Sequence, residues 1–193
     1  MLKELAVFIQ ELLLVIGNWA PLLSCFLIII ESMLPVLPLC TFITINFISF
    51  GSIIGFIISW LFTCIGCLLS YFLVKKGIRN WYETRIYNAN LFDKALEYVK
   101  KLSFPSLTMI LAMPFTPAFM INIAAGMANI EFKKFLFSII IGKLFMVYFW
   151  GYIGVGLIES FNDPLILIKI VIMLILAYTI SSIVKNKIEK SLN

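Results

Sequence analysis

Three polar side chains within apolar stretches have the chemistry to handle a substrate: Glu31, Asn122 and Lys143. A carboxylate can carry a proton, an ammonium can bind an anionic head group, and an amide can both donate and accept hydrogen bonds. Glu31 is the only acidic residue between Glu11 and Glu83. Because charges at membrane depth are costly and usually functional, we predict that these three side chains line a substrate path or couple transport to an ion.

Each of these residues also has a purely structural interpretation, which the sequence leaves open. Glu31 can mark the water boundary at the end of an apolar run, and Asn122 can cap a broken helix backbone. Lys143 can pair with Glu31, or its long side chain can extend to the cytoplasmic interface, which the sequence slightly favours.

The composition argues against an enzyme. The chain has no histidine, so Ser-His-Asp triads and histidine-ligated metal sites lack essential parts. It has no G-x-S-x-G motif and no paired carboxylates within an apolar stretch. The Cys64-x-x-Cys67 spacing lacks the second ligand pair of a zinc site and lies in an apolar run. We therefore predict no catalytic residues, no metal and no cofactor.

The composition indicates what kind of structure must position the three polar side chains. Apolar residues make up 62% of the chain and charged residues 13%, and the mean hydropathy is +1.06. Soluble domains average about 45–50% apolar and about 25% charged residues. The chain is therefore predicted to be an integral membrane protein. Its net charge of +5 indicates basic cytoplasmic loops rather than binding of nucleic acid.

Five charge-poor runs approach the length that crosses a membrane, which is about 20 apolar residues. They cover residues 12–30, 32–74, 102–130, 135–158 and 164–184. The second and third runs are broken by prolines, each of which removes a backbone donor. We predict that these two runs form re-entrant hairpins, shaped by Pro35, Pro38, Pro114, Pro117 and Gly126.

The distribution of basic residues selects a topology. If every apolar run crossed fully, the basic residues of the loops would be divided evenly between the two faces. If the two broken runs return to the face they entered from, the chain crosses at 12–30, 52–74, 135–158 and 164–184, and all Lys and Arg outside the membrane share one face. The positive-inside rule favours this arrangement and makes that face cytoplasmic. The predicted fold is an all-α, multi-pass membrane protein with about four transmembrane helices, two oppositely oriented re-entrant hairpins and cytoplasmic termini, in a bacterial plasma membrane.

The two broken runs are related in sequence. The motif Pro35-x-x-Pro38 recurs 79 residues later as Pro114-x-x-Pro117, and Phe56 and Ser59 recur at the same offset. With the topology above, the two copies are inverted in the membrane, which supplies the two interchangeable states of alternating access. A single membrane domain over 1–193 is thus predicted to contain a first repeat at 31–74, a linker at 75–101, a second repeat at 102–158 and a final helix at 164–184.

The linker at 75–101 has apolar residues at helical spacing among many lysines and arginines. This pattern predicts a short amphipathic helix on the cytoplasmic surface, although a solvated linker helix fits it equally well.

Three stretches resemble the DedA family within the wider VTT-domain superfamily, whose eukaryotic members include SNARE-associated Golgi proteins. They are residues 31–38, residues 66–77, and the P-x-x-P, Asn, Ala-Gly, Phe, Gly pattern that runs from Pro114 to Gly142. Together the stretches span residues 31–156. The resemblance implies two re-entrant hairpins and a role in moving lipids between leaflets, since family members have been linked to undecaprenyl phosphate recycling, phospholipid scrambling and proton-coupled maintenance of the membrane.

Two positions depart from the DedA pattern. Family members commonly carry an Asp just after the second proline of the first hairpin, where this chain has Leu39-Cys40-Thr41. They also carry an Arg shortly before the first proline of the second hairpin, where this chain has Leu111 and no Arg nearby. The resemblance is therefore to the Arg-poor branches, which do not have the Asp–Arg pair.

The sequence supports three functional hypotheses. The first is a protein that translocates or scrambles lipids, of the phospholipid or polyprenyl-phosphate type, through a seam between the hairpins, with membrane lipids as its partners. The second is a proton-coupled secondary transporter of a small solute or ion, with Glu31 carrying the proton. The third is a membrane assembly factor that transports nothing. A homo-oligomer is compatible with all three.

Overall fold

The computed structural model describes residues 19–33, 38–75, 96–116 and 118–192. Within these ranges the chain is helical and contains no strand, which confirms the predicted all-α class. The helices are α1 Ala20–Met33, α2 Leu39–Leu73, α3 Phe104–Ala112, α4 Ala118–Met127, α5 Phe132–Glu159 and α6 Pro164–Leu192.

Several predictions from sequence fall partly outside the described ranges. Pro35 and Pro117 lie outside them, as do residues 12–18 of the first predicted crossing. Residues 76–95 of the predicted linker helix also lie outside, whereas residues 96–101 are helical.

Helix α2 consists of two arms that meet at Gly51. This residue has φ 78° and ψ 165°, a backbone conformation that is open to glycine and strained for residues with a Cβ. The chain folds back here. This reversal brings Asn46 next to Ser59, and the Asn46 Nδ2 donates to the Ser59 Oγ at 3.0 Å. Gly55 sits so close to the Asn46 carbonyl group that an added Cβ would overlap it. The short arm (39–50) and the long arm (52–73) therefore lie against each other.

Helix α1 pairs with the short arm of α2 in an antiparallel direction. The Ser24 Oγ donates to the Asn46 Oδ1, and Ile28 packs against Ile43 and Phe47. Helix α1 ends at Met33 and the short arm of α2 begins at Leu39, so the two helices lie side by side with opposite directions.

The second half of the chain repeats this order. Helix α3 runs alongside α5, since the Thr108 Oγ1 donates to the Ser138 Oγ at 3.2 Å and a Cβ on Gly142 would lie 2.9 Å from the Thr108 carbonyl oxygen. After a break at 113–117, α4 runs back towards the start of α5. Asn129, with φ 52°, makes the turn between α4 and α5. Each half of the chain therefore has two short helical segments, then a turn with a positive φ angle, then a long helical segment. We call each half one copy of the repeat.

The two copies point in opposite directions. The Tyr71 hydroxyl, near the end of α2, donates to the Ile130 carbonyl at 2.7 Å, just before α5 begins. Midway along both helices, the Trp60 Nε1 donates to the Ile140 carbonyl at 2.9 Å. The long arm of α2 and α5 therefore run antiparallel, which makes the second copy an inverted version of the first.

Helix α6 returns along α5 and has a largely exposed, apolar surface. A Cβ on Gly156 would lie 3.1 Å from the Ile170 Cδ1, which shows how closely these helices approach. By length and composition, three of the described helices can cross a membrane: Leu39–Leu73, Phe132–Glu159 and Pro164–Ile188. Side chains that are exposed and apolar on such helices are suited to contact with lipid.

Candidate functional site

A cavity of about 360 Å³ lies where the tips of the two helix pairs meet. Its walls come from both pairs and from both long helices. The side chains with polar groups in the walls are Glu31, Ser32, Cys40, Cys67, Thr116, Asn122, Lys143 and Trp150. The remaining walls are apolar, so a small set of polar groups converges in an otherwise apolar space. This composition is typical of a ligand site.

The cavity brings together the three side chains singled out from the sequence. Glu31 reaches it from α1, Asn122 from α4 and Lys143 from α5, although they are far apart along the chain. Of the hairpin-shaping residues, Pro38 and Pro114 also line it. Gly126 does not line the cavity, and packs instead against the end of α2.

Residues from both repeats line the cavity, some of them at related positions. Several of its lining residues occur as pairs 79 residues apart, the same offset that relates the two P-x-x-P motifs. These pairs are Leu39 with Ala118, Cys40 with Phe119, and Cys67 with Met146. The repeat therefore extends to the residues that form the walls, beyond the few matches visible in sequence.

Lys143 is buried at the centre of the protein. It lies about 16 Å along α5 from Phe132, and its side chain is 2% exposed. Its Nζ donates to the Met146 Sδ at 3.1 Å, and a thioether is a weak acceptor. The alternative in which Lys143 extends to the cytoplasmic interface is therefore wrong. Glu31 lines the same cavity. Among the described residues, the acceptor that the structure gives the ammonium is the Met146 thioether.

Asn122 is the second unusual side chain of the cavity. It is fully buried, and its Nδ2 donates to the Ser32 carbonyl over a long 3.4 Å. Its Oδ1 accepts no hydrogen bond from the residues that the structure describes. A buried acceptor without a donor costs about 1–3 kcal/mol, so such groups in native proteins usually meet water or a ligand. Asn122 therefore offers an acceptor to whatever enters the cavity.

Close helix contacts bound the cavity at both ends. At one end, Thr44 and Phe47 of the short arm of α2 press against Gly154 and Gly151 of α5. At the other end, Gly126 of α4 lies against the end of α2, and an added Cβ would be 2.7 Å from the Tyr71 carbonyl oxygen and 3.2 Å from the Val74 Cβ.

These two closing contacts are equivalent in the repeat. Phe47 and Gly126 are 79 residues apart, and so are Thr44 and Ile123, which packs on Val74. Each contact therefore joins the second short helical segment of one copy to the long helix of the other copy.

Sequence reasoning missed some of the lining residues. Ser32 and Met146 carried no chemical signal of their own, and Cys67 was considered only as a metal ligand. Trp150 also lines the cavity. Trp150 and Met146 do follow Lys143 at seven and three residues, which places all three on one face of α5.

The fold and the site together define a class. The protein is a helical membrane protein in which short and long helices surround a polar cavity.

Comparisons with known proteins name the family. Residues 35–156 match the VTT domain. The chain is 31% identical over 175 residues, 91% of this chain and 83% of the relative, to "Uncharacterized membrane protein YhjE" of Bacillus subtilis (strain 168). It is 23% identical over 128 residues, 66% of this chain and 62% of the relative, to "Uncharacterized protein YqeD" of the same bacterium. No solved structure matches the chain significantly. The protein therefore belongs to the VTT-domain family, which confirms the DedA-type resemblance seen in the sequence.

Proposed function

We propose that this protein moves phosphate-bearing lipids, of the phospholipid or polyprenyl-phosphate type, between the leaflets of the membrane, with the head group passing through the central cavity. The observation that carries the proposal is the buried ammonium of Lys143, for which the described residues offer a single hydrogen-bond acceptor, the Met146 thioether. An anionic phosphate would satisfy this cation with charge-assisted hydrogen bonds. Such bonds are strong in a site that excludes bulk water.

The other polar groups fit the passage of a head group. The unpartnered Asn122 Oδ1 would accept a hydrogen bond from a head-group hydroxyl, an ammonium or a bound water. Glu31 would balance the charge of Lys143 when no lipid is bound, since an uncompensated buried charge is strongly unfavourable.

The short helices support re-entry from opposite faces. The short arm of α2 is about 18 Å long and α3 about 14 Å, whereas the hydrocarbon core of a bilayer is about 30 Å thick. Each has one end at the cavity, so neither would cross. The broken backbone between the arms would lie at membrane depth, where it is tolerated because it lines a cavity inside the protein.

The two closing contacts support alternating access. Because the contact of Phe47 with Gly151 and the contact of Gly126 with Tyr71 are equivalent in the repeat, opening one while the other stays shut would give two related states. The cavity would then face one leaflet at a time.

Translocation by reconstituted protein tests the proposal. Vesicles containing the protein and fluorescent phospholipids with several head groups should equilibrate the lipids between leaflets much faster than empty vesicles. Lys143→Met should slow this at least about tenfold, equivalent to about 1.4 kcal/mol. The matched control is Lys169→Met, because Lys169 is exposed on α6. Equilibration no faster than in empty vesicles for every head group would refute the proposal.

Accessibility of introduced cysteines tests the topology. Single cysteines at Lys101 and Lys187 should react with a membrane-impermeant maleimide from the cytoplasmic face, and a cysteine at Asp163 only from the opposite face. The native cysteines are replaced by alanine first. Labelling of positions 101 and 187 from different faces would contradict re-entry.

A second candidate function follows from Glu31, which lines the same cavity as Lys143. A carboxylate there can bind and release a proton, as a proton-coupled transporter of a small solute requires. Uptake into vesicles should then depend on the proton gradient, and Glu31→Gln should abolish that dependence. Gradient-driven uptake that persists in Glu31→Gln would exclude this candidate.

A further inference from the structure

A second space, an apolar groove of about 470 Å³, lies between α5 and α6 and ends against the break after α3. Its walls are aliphatic and aromatic, and two tyrosines are the polar side chains among them. On α5 the lining residues Phe145, Tyr148 and Tyr152 follow helical spacing, and on α6 they include Ala177. These positions on α5 lie between about 10 and 21 Å from the end of that helix, near the middle of a bilayer.

Helix α5 separates the groove from the central cavity. Lys143, Met146 and Trp150 face the cavity, whereas Phe145 and Tyr148 face the groove. At the break after α3 the two spaces come together, because Pro114 lines both of them.

The side chain that follows Pro114 contacts a lining residue of each space. The ring centroid of Phe115 lies 6.1 Å from that of Trp150, 6.5 Å from that of Phe149 and 5.8 Å from that of Tyr178. Trp150 lines the cavity and Phe149 lines the groove. Phe115 belongs to a turn rather than a helix, so it can move without breaking a helical ladder.

We propose that this groove binds the alkyl chain of the lipid whose head group occupies the central cavity, with Phe115 as the side chain that the lipid displaces. The inference rests on the proposed function and makes it more specific, because it requires an amphiphile rather than a free solute. The occupant follows from the chemistry of the two spaces: a groove with apolar walls at mid-bilayer depth is filled from the membrane, and it adjoins a cavity that holds a buried cation.

Photolabelling in a membrane tests the groove. The full chain is reconstituted in phosphatidylcholine vesicles with a trace of phosphatidic acid that carries a diazirine near the end of one acyl chain. After irradiation, peptides over 145–152 and 173–180 should be labelled more strongly than the outward face of α2, represented by the exposed residues Ile53 and Ile57. Equal labelling of all lipid-facing surfaces would mean ordinary lipid contact only and would overturn the proposal.

A pair of substitutions on α6 supplies the matched control. Ala177→Trp fills the groove, whereas Ile175→Trp places the same indole on an exposed position that does not line it. Ala177→Trp should remove the excess labelling and slow translocation of a long-chain fluorescent phospholipid about tenfold, because overfilled sites lose binding steeply. Ile175→Trp should change neither.

The two proposals fail in different ways. If wild-type protein translocates lipid and Ala177→Trp translocates it equally fast, the groove is not on the lipid path and this inference is overturned, while the proposed function stands. If the groove is labelled but wild-type protein moves no lipid, the proposed function fails and the groove remains as a lipid-binding site.

Discussion

Two buried asparagines, one in each repeat, differ in how their side chains are satisfied. Asn46 lies on the short arm of α2, and its amide accepts from Ser24 and donates to Ser59. Asn122 lies on the corresponding helix α4, donates to the Ser32 carbonyl over 3.4 Å, and has an Oδ1 that accepts no hydrogen bond from the described residues. Both side chains have no exposed surface, so burial does not distinguish them.

The difference between the two asparagines separates structure from function. A fully hydrogen-bonded amide inside a protein fixes the geometry around it, and Asn46 fixes α1 and both arms of α2 relative to each other. An amide with an unpaired acceptor adds no such stability, and Asn122 faces the cavity with that acceptor. In the first repeat the buried amide thus holds helices together, and in the second repeat the buried amide lines the candidate site.

The largest expected effect on stability is at Asn46. Asn46→Leu would leave the hydroxyls of Ser24 and Ser59 without their partner, and we expect a loss of about 3 kcal/mol of unfolding free energy. Chemical unfolding of the purified protein in detergent, followed by tryptophan fluorescence, measures it. Asn122→Leu is the matched variant and should lose less than about 1 kcal/mol, because it removes an unsatisfied group. Equal losses of unfolding free energy in the two variants would contradict a structural role for Asn46 that Asn122 does not share.

The turns that end the short arms should differ next. Gly51→Ala places a Cβ on a residue with φ 78° and ψ 165° and should cost about 2 kcal/mol, since few side chains tolerate this conformation. Asn129 makes the corresponding turn with φ 52°, where asparagine is favoured among residues with a Cβ. Asn129→Gly should therefore change stability by less than about 0.5 kcal/mol. The same unfolding experiment compares them, and a milder effect at Gly51 than at Asn129 would contradict the assignment.

Apart from the control variants, the smallest effect in energy is expected on activity, at Asn122. Asn122→Leu should slow lipid translocation about tenfold, which corresponds to about 1.4 kcal/mol, through loss of an acceptor in the cavity. Asn122→Asp keeps an acceptor at this position and should retain more activity than the leucine variant. Activity of Asn122→Leu equal to that of wild type would show that its free acceptor does not contact the moving lipid.

The sequence predicts where helices are interrupted better than it predicts which side chains bind each other. Pro38 and Pro114 fall between helices, and the three polar residues picked out from apolar runs, Glu31, Asn122 and Lys143, line one cavity. The pairing of Asn46 with Ser24 and Ser59 could not be predicted, since it depends on how three helices align in space.

The inward orientation of Trp150 could not be predicted from the sequence either. Helix α5 is apolar on nearly all sides, so hydrophobic periodicity does not indicate which face is turned to lipid. Only Lys143 marks the inner face of this helix from sequence, and Trp150 lies two turns further along that face.

The position of Lys143 has one more consequence for the repeat. The residue 79 positions earlier, on the long arm of α2, is Cys64, so the backbone is duplicated but the positive charge is not. In an alternating cycle, two conformations that exchange the roles of these helices would place the ammonium in different surroundings and would differ in energy. The empty protein should therefore rest with its cavity turned preferentially towards one leaflet, and an incoming anion should change that preference.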